Sequence, residues 1–127
     1  MAKILFFGTC CGAEPIPGMH HSAFAIEVGE NYYWFDAGEN CSRSAYLSGI
    51  DLMKTRAVFI SHPHYDHIGG LAGIMWNIRK VATYFGKELC CVFTFFFVLG
   101  NQLGGCVLFS LHFFCIGEKR SLFCIEI

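Results

Sequence analysis

The chain is poor in charge. Only 15% of its 127 residues are charged, and nine Lys and Arg against ten Asp and Glu leave a formal net charge of −1. Without a cationic excess there is no broad basic surface, so recognition of nucleic acid has to come from a specific site and not from bulk charge. No Cys-x-x-Cys occurs, although there are eight cysteines, at 10, 11, 41, 90, 91, 106, 115 and 124. That spacing argues against a zinc knuckle, a thioredoxin-type pair and an ordered disulfide framework, and leaves free, mostly buried thiols. After Met-Ala-Lys only "ILFF" precedes Gly8, an apolar run shorter than that of a signal peptide, so a cytoplasmic protein is expected. The length suits one domain with a real core and is too short for two.

The apolar run at 4–7 ends at Gly8-Thr9, as a short buried strand turning into a loop would. "CCGAEPIPGMHH" holds two prolines and two glycines in a dozen residues and reads as that loop. "SAFAIEVG" and "NYYWFDAG", separated by turn residues at 29–31, predict a hairpin. "CSRSAYLSGIDLMKT" allows a short helix ending near Gly49, and "RAVFIS" reads as a strand buried on both faces. Beyond it Leu71, Ile74, Ile78 and Val81 recur at spacings of three and four, the stripe of an amphipathic helix.

Near residue 83 the composition changes. Nine of the 14 Phe and five of the eight Cys lie after Ala82, no Asp follows Asp66, and no residue from Leu89 to Gly117 is charged. An uncharged stretch of that length passes the test for a membrane span, but "GNQLGG" divides it into two runs, for which a buried hairpin or a re-entrant segment serves as well. Residues 1–82 are therefore read as one unit and 83–127 as an atypical Phe/Cys-rich apolar tail, with membrane contact by 89–117 the less favoured use of it.

"FISHPHYDHIGGL" carries the chemistry. His62 and His64 stand two apart at the end of an extended segment, so both rings point to one side and can grip one ion. Asp66 and His67 follow where the chain curls towards the helix, adding a carboxylate and an imidazole for a neighbouring ion or for a proton. Gly69-Gly70 removes side chains where ligands and substrate approach the backbone. Polar side chains are costly to gather at the mouth of a buried strand without a use, whereas His20, His21 or His112 taken singly reads as structural.

"HPHYDHIGG" resembles the His-x-His-x-Asp-His signature of the metallo-β-lactamase-fold hydrolases. "FGTCCGAEP", "YWFDAGEN" and "AVFISHPHYDHIGGL" resemble, in order and spacing, the opening half of tRNase Z-like members over roughly residues 3–82. The resemblance implies an α/β chain forming the N-terminal half of a four-layer αββα sandwich, with two zinc ions at one edge of the sheets in a complete site. It implies that His62 and His64 hold the first zinc, Asp66 and His67 the second, that Asp36 supports the ligands from behind, and that Gly8 and Thr9 lie in a loop beneath. It further implies hydrolysis of a phosphodiester or related ester, RNA among the substrates, with Asp66 handling the proton.

Members of that family carry a further histidine, a bridging aspartate and a last histidine in a second half. After this motif the sequence has only His112 and no aspartate. Met19-His20-His21-Ser22 also stands where tRNA-processing members show Arg-Asn before Ser, and the tRNA-gripping arm has no counterpart. The expectation is a truncated zinc-dependent hydrolase, weakly active or inactive alone, with a homodimer as one way to cover its open sheet face. The alternatives are a degenerate, non-catalytic zinc-binding fragment and a small membrane-associated protein.

Overall fold

The computed structural model describes residues 1–14 and 16–86 with their side chains, and the backbone of three further strands at 91–100, 106–116 and 120–126. The side chain of His112 and the link 101–105, on which the hairpin and membrane readings turn, lie outside the described residues. Strand β1 (Ala2–Gly8) pairs antiparallel with β2 (Ala23–Val28), and β2 pairs antiparallel with β3 (Asn31–Phe35). Gly29, at φ +61°, makes the tight reversal between β2 and β3 that a side chain would oppose. Helix α1 (Cys41–Leu47) and a 3-10 turn then carry the chain over the sheet to β4 (Thr55–Ile60), which lies parallel to β3. A one-turn helix α2 (Tyr65–Ile68) and α3 (Leu71–Phe85) lead to β5 (Cys91–Gly100), parallel to β4. The antiparallel strands β6 (Cys106–Ile116) and β7 (Arg120–Glu126) complete a sheet in the order β1-β2-β3-β4-β5-β6-β7. Two parallel steps with helical crossovers inside an otherwise antiparallel sheet make the chain α/β, as expected from its pattern.

Alternation decides what each sheet face buries. On one face Phe7, Ala23, Ala25, Trp34, Val58 and Ile60 meet Cys41 and Ala45 of α1 and Leu71, Ile74 and Ile78 of α3. The alanines of β2 leave room for the larger rings on the flanking strands. Phe7 and Trp34 stack at 4.6 Å between centroids, and the Trp34 indole N–H donates to the Thr55 hydroxyl at 3.2 Å. The helical stripe is as predicted at Leu71, Ile74 and Ile78, but its last buried member is Ala82, while Val81 is half-buried. A step of four from Ile78 keeps the same face better than a step of three at this point of the helix.

Across β1 to β4 the other face of the sheet carries one phenylalanine from each strand. Phe6 and Phe24 lie 5.8 Å apart, Phe24 and Phe35 5.0 Å, and Phe35 and Phe59 5.1 Å. Phe6 is well exposed. Arg56, on β4, is exposed as well, so that strand is not buried along both faces. Among the described residues no helix is long and apolar enough to cross a membrane.

Cys10, Cys11 and Cys41 are free. Burial pushes the Cys41 thiol up to about 12, against the two backbone hydrogen bonds that lower it. The unfolded chain ionises this thiol near its ordinary value and the folded one does not, so its contribution to stability is intact below about pH 8.5 and is lost as pH rises towards 12. Brief iodoacetamide treatment at pH 8 followed by peptide mapping is expected to label the exposed Cys11 and spare Cys41.

Candidate metal centre

Strands β3 and β4 run parallel, so both deliver their C-terminal ends to the same edge of the sheet. Asp36 leaves β3 and Ser61-His62 leaves β4 there. Asp36 adopts φ +58°, a left-handed conformation that Asp and Asn tolerate better than most residues, and its N–H donates to the Phe59 carbonyl at 2.8 Å. The turn turns its carboxylate towards the end of β4, where Asp36 Oδ1 accepts the Ser61 N–H and the Ser61 hydroxyl lies within 2.9 Å of both carboxylate oxygens.

Helix α2 places Asp66 and His67 beside this carboxylate. His67 Nδ1 lies 2.7 Å from Asp36 Oδ2, an arrangement that puts the imidazole proton on Nδ1 and leaves Nε2 as a ligand atom. His67 Nε2 is 3.3 Å from Asp66 Oδ2. The ring of His62 lies 4.1 Å from that of His67 and 4.6 Å from that of His64. One ligand atom each from His62, Asp66 and His67 falls within 4.8 Å of the others. An ion with bonds of roughly 2 Å reaches all three with small side-chain rotations, and two imidazoles with a carboxylate are a donor set that suits zinc. His64 is exposed and stands against His62, outside that three-atom cluster.

The Asp66 carboxyl is held below the usual carboxylate range, first by the Gly12 N–H donating to Oδ2 at 2.8 Å, then by His67 and His62, against some desolvation. It is therefore ionised at neutral pH, as a ligand has to be. The bond also fixes the loop after β1 to the site. Gly8 ends β1 so close to the following chain that a Cβ there would meet the His21 carbonyl at 1.8 Å, and the exposed Thr9 begins the loop that brings Gly12 to Asp66.

Two residues of this environment escaped the reading of the sequence. Ser61 ties Asp36 to His62 Nδ1, 3.1 Å from its hydroxyl. A small polar residue between an apolar strand and the first histidine was the available signal. Gly12 acts through its backbone alone, for which no side chain could speak. The role of Gly69-Gly70 also differs from the expected one. A Cβ on Gly70 would meet the Gly38 carbonyl at 2.2 Å and Cys41 Sγ at 2.7 Å, and one on Gly69 would meet the Tyr65 ring. These glycines admit other parts of the chain. The Ala37 N–H donates to the His67 carbonyl at 2.7 Å and the Gly70 N–H to the Ala37 carbonyl at 2.8 Å, clamping the ligand-bearing turn to the end of β3. His21 is buried, with Nδ1 3.8 Å from Glu39 Oε2 and no hydrogen-bond partner among the described residues.

Asp36→Asn should lower zinc affinity by roughly 10- to 100-fold, the usual range for a partner that orients a ligating histidine. Asn tolerates the same positive φ, so the thermal midpoint of the metal-free protein should hardly move. Chelator competition and thermal melts on the two proteins check both halves.

The family described as anti-Pycsar protein Apyc1 matches residues 2–89. Ribonuclease Z of Pyrococcus furiosus is 33% identical over 93 residues, which cover 69% of this chain and 30% of the relative. Ribonuclease Z of Methanococcus aeolicus is 41% identical over 76 residues, covering 60% of this chain and 23% of the relative. The chain thus spans about a quarter to a third of the length of these curated relatives. Among solved structures, the metallo-β-lactamase fold protein YhfI from Bacillus subtilis superposes with a TM-score of 0.60 at 16% identity, over 87% of this chain and 58% of that one. Human tRNase Z, short form, gives 0.53 at 18% identity, over 97% and 63%. With its histidines and aspartate gathered at the edge of a sheet of this architecture, the chain belongs to the anti-Pycsar protein Apyc1 family, as a tRNase Z-like protein of the metallo-β-lactamase fold.

Proposed function

We propose that this chain carries the first half of the active site of a zinc-dependent phosphodiesterase whose substrate class is RNA. The observation that supports this most is the convergence of His62, Asp66 and His67 within 4.8 Å, with His67 already oriented by Asp36. The ribonuclease Z relatives supply the substrate class. We assign residues 1–82 to this half-site and 83–127 to a tail. In a two-ion arrangement His62 and His64 would hold one zinc and Asp66 and His67 the other.

Bound zinc would supply a Lewis acid for the phosphoryl group and a water that ionises near neutral pH. The chain's own groups have separate tasks. Asp36 keeps the His67 proton on Nδ1, Ser61 holds Asp36 and His62 in register, and the Gly12 N–H occupies Asp66 Oδ2. Asp66 Oδ1 is then the oxygen that takes the proton from the attacking water. Activity of the chain alone should be slight, because its ligands come from one side and the sequence after His67 offers one histidine and no aspartate. Reduced free thiols at Cys10, Cys11 and Cys41 suit a cytoplasmic setting.

Zinc competition against a chromophoric chelator, run beside turnover of bis-p-nitrophenyl phosphate, tests the reading. The expected result is zinc uptake with slow, zinc-dependent hydrolysis, the uptake reduced and the hydrolysis lost in Asp66→Ala. Failure of the unaltered chain to take up zinc, or equal uptake by the variant, would refute it.

A further inference from the structure

We propose that the outer face of α3 is a stacking platform for a single-stranded segment of the RNA substrate. This deepens the reading above and rests on it. Trp76, Lys80 and Tyr84 recur every four residues, opposite the buried stripe of Leu71, Ile74, Ile78 and Ala82. Trp76 is 62% exposed and Tyr84 84%. A helix exterior ordinarily carries polar residues, and two large rings left in water on one line ask for a planar partner. Lys80 Nζ already lies 4.6 Å from the centre of the Trp76 ring, so a cation sits where the phosphate beside a stacked base would lie.

The charge agrees with a polyanion. Helices α1 and α3 contain no acid, and neither Arg79 nor Lys80 is ion-paired with a described residue. Between residues 41 and 85 the chain carries Arg43, Lys54, Arg56, Arg79 and Lys80 against Asp51 and Asp66, with Lys54 paired to Glu30, in a chain whose overall charge is −1. This local excess is what the composition as a whole conceals. With a rise of about 1.5 Å per residue, the three groups follow one another at about 6 Å. The line leads away from the metal cluster, since α3 starts four residues after His67. Aromatic rings alternating with cations hold single strands without reading their sequence, whereas a lipid surface would favour an unbroken apolar face, and Asn77, Arg79, Lys80 and Thr83 interrupt this one.

The chain holds two tryptophans, of which Trp34 is fully buried, so iodide-quenchable fluorescence belongs to Trp76. Titrate the full chain with a 12-nucleotide oligouridine in EDTA, following this fluorescence and the anisotropy of end-labelled RNA. Expected are quenching of the accessible tryptophan and binding that weakens with salt. Arg79→Glu with Lys80→Glu should reduce affinity at least about 10-fold at low salt. Trp76→Ala should reduce it by about 5- to 150-fold, with an unchanged circular dichroism spectrum. No quenching and no anisotropy change at low salt would overturn the proposal. So would wild-type affinity in both variants, or quenching by phosphatidylserine vesicles but not by RNA. Because EDTA removes the metal, loss of RNA binding alongside intact zinc-dependent ester hydrolysis overturns the platform alone. RNA binding with no zinc uptake overturns the catalytic reading while leaving the platform in place.

Discussion

His67→Ala is expected to abolish zinc-dependent turnover and to weaken zinc binding more than 100-fold, while the metal-free protein keeps its fold. His67 is the one side chain of the cluster that faces both ways, with Nδ1 on Asp36 at 2.7 Å and Nε2 beside Asp66 at 3.3 Å. Its removal deletes a ligand and also leaves the Asp36 carboxylate without its imidazole. Asp36 still accepts from the Ser61 N–H and hydroxyl, so its charge is not stranded. The backbone clamp between Ala37 and residue 67 does not depend on the side chain. The readout is metal content by emission spectrometry together with the circular dichroism melt. A variant that retained zinc at the wild-type level would place the ion elsewhere.

Trp34→Ala is expected to unfold most of the protein at room temperature. Removing a fully buried Trp typically costs about 3 to 5 kcal/mol. Here the loss also takes away the ring stacked on Phe7 and leaves the buried Thr55 hydroxyl without its donor. An unsatisfied buried polar group adds about 1 to 3 kcal/mol, against a total stability of about 5 to 15 for a typical domain. Trp34→Phe separates most of the packing loss from the lost donor, since it keeps an aromatic ring over Ala25 and removes the N–H with part of the indole. Its denaturant midpoint should fall well above that of Trp34→Ala, and equal midpoints would contradict the packing argument.

Much of this was legible in the sequence because it depended on period and punctuation. The hairpin announced itself by two apolar runs around Gly29, and α3 by its buried Leu71, Ile74 and Ile78. The candidate ligands stood out because no core tolerates three imidazoles and a carboxylate at a strand end without a use. What could not be read depended on contacts between distant backbones. Gly12 and Asp66 meet 54 residues apart, and Gly70 is glycine because Gly38 and Cys41 press on it. Periodicity is blind to such approaches. Val81 and Ala82 show the same limit on a smaller scale, because both fit a helical stripe and only the packing chooses between them.

The distances along the chain also bear on the order in which the site comes together. Asp36 and His67 are 31 residues apart and joined through a β-α-β unit, so their meeting accompanies the formation of that unit. The Gly12–Asp66 bond closes 54 residues and is exposed. The longer loop adds only a few tenths of a kcal/mol in closure entropy, but an exposed bond has little packing to hold it against opening. Native-state hydrogen exchange should therefore find the Gly12 amide among the first to exchange and the amides of Ala37 and Gly70 among the last. The clasp over Asp66 would then open and shut many times within the lifetime of a fold that keeps Asp36 and His67 together.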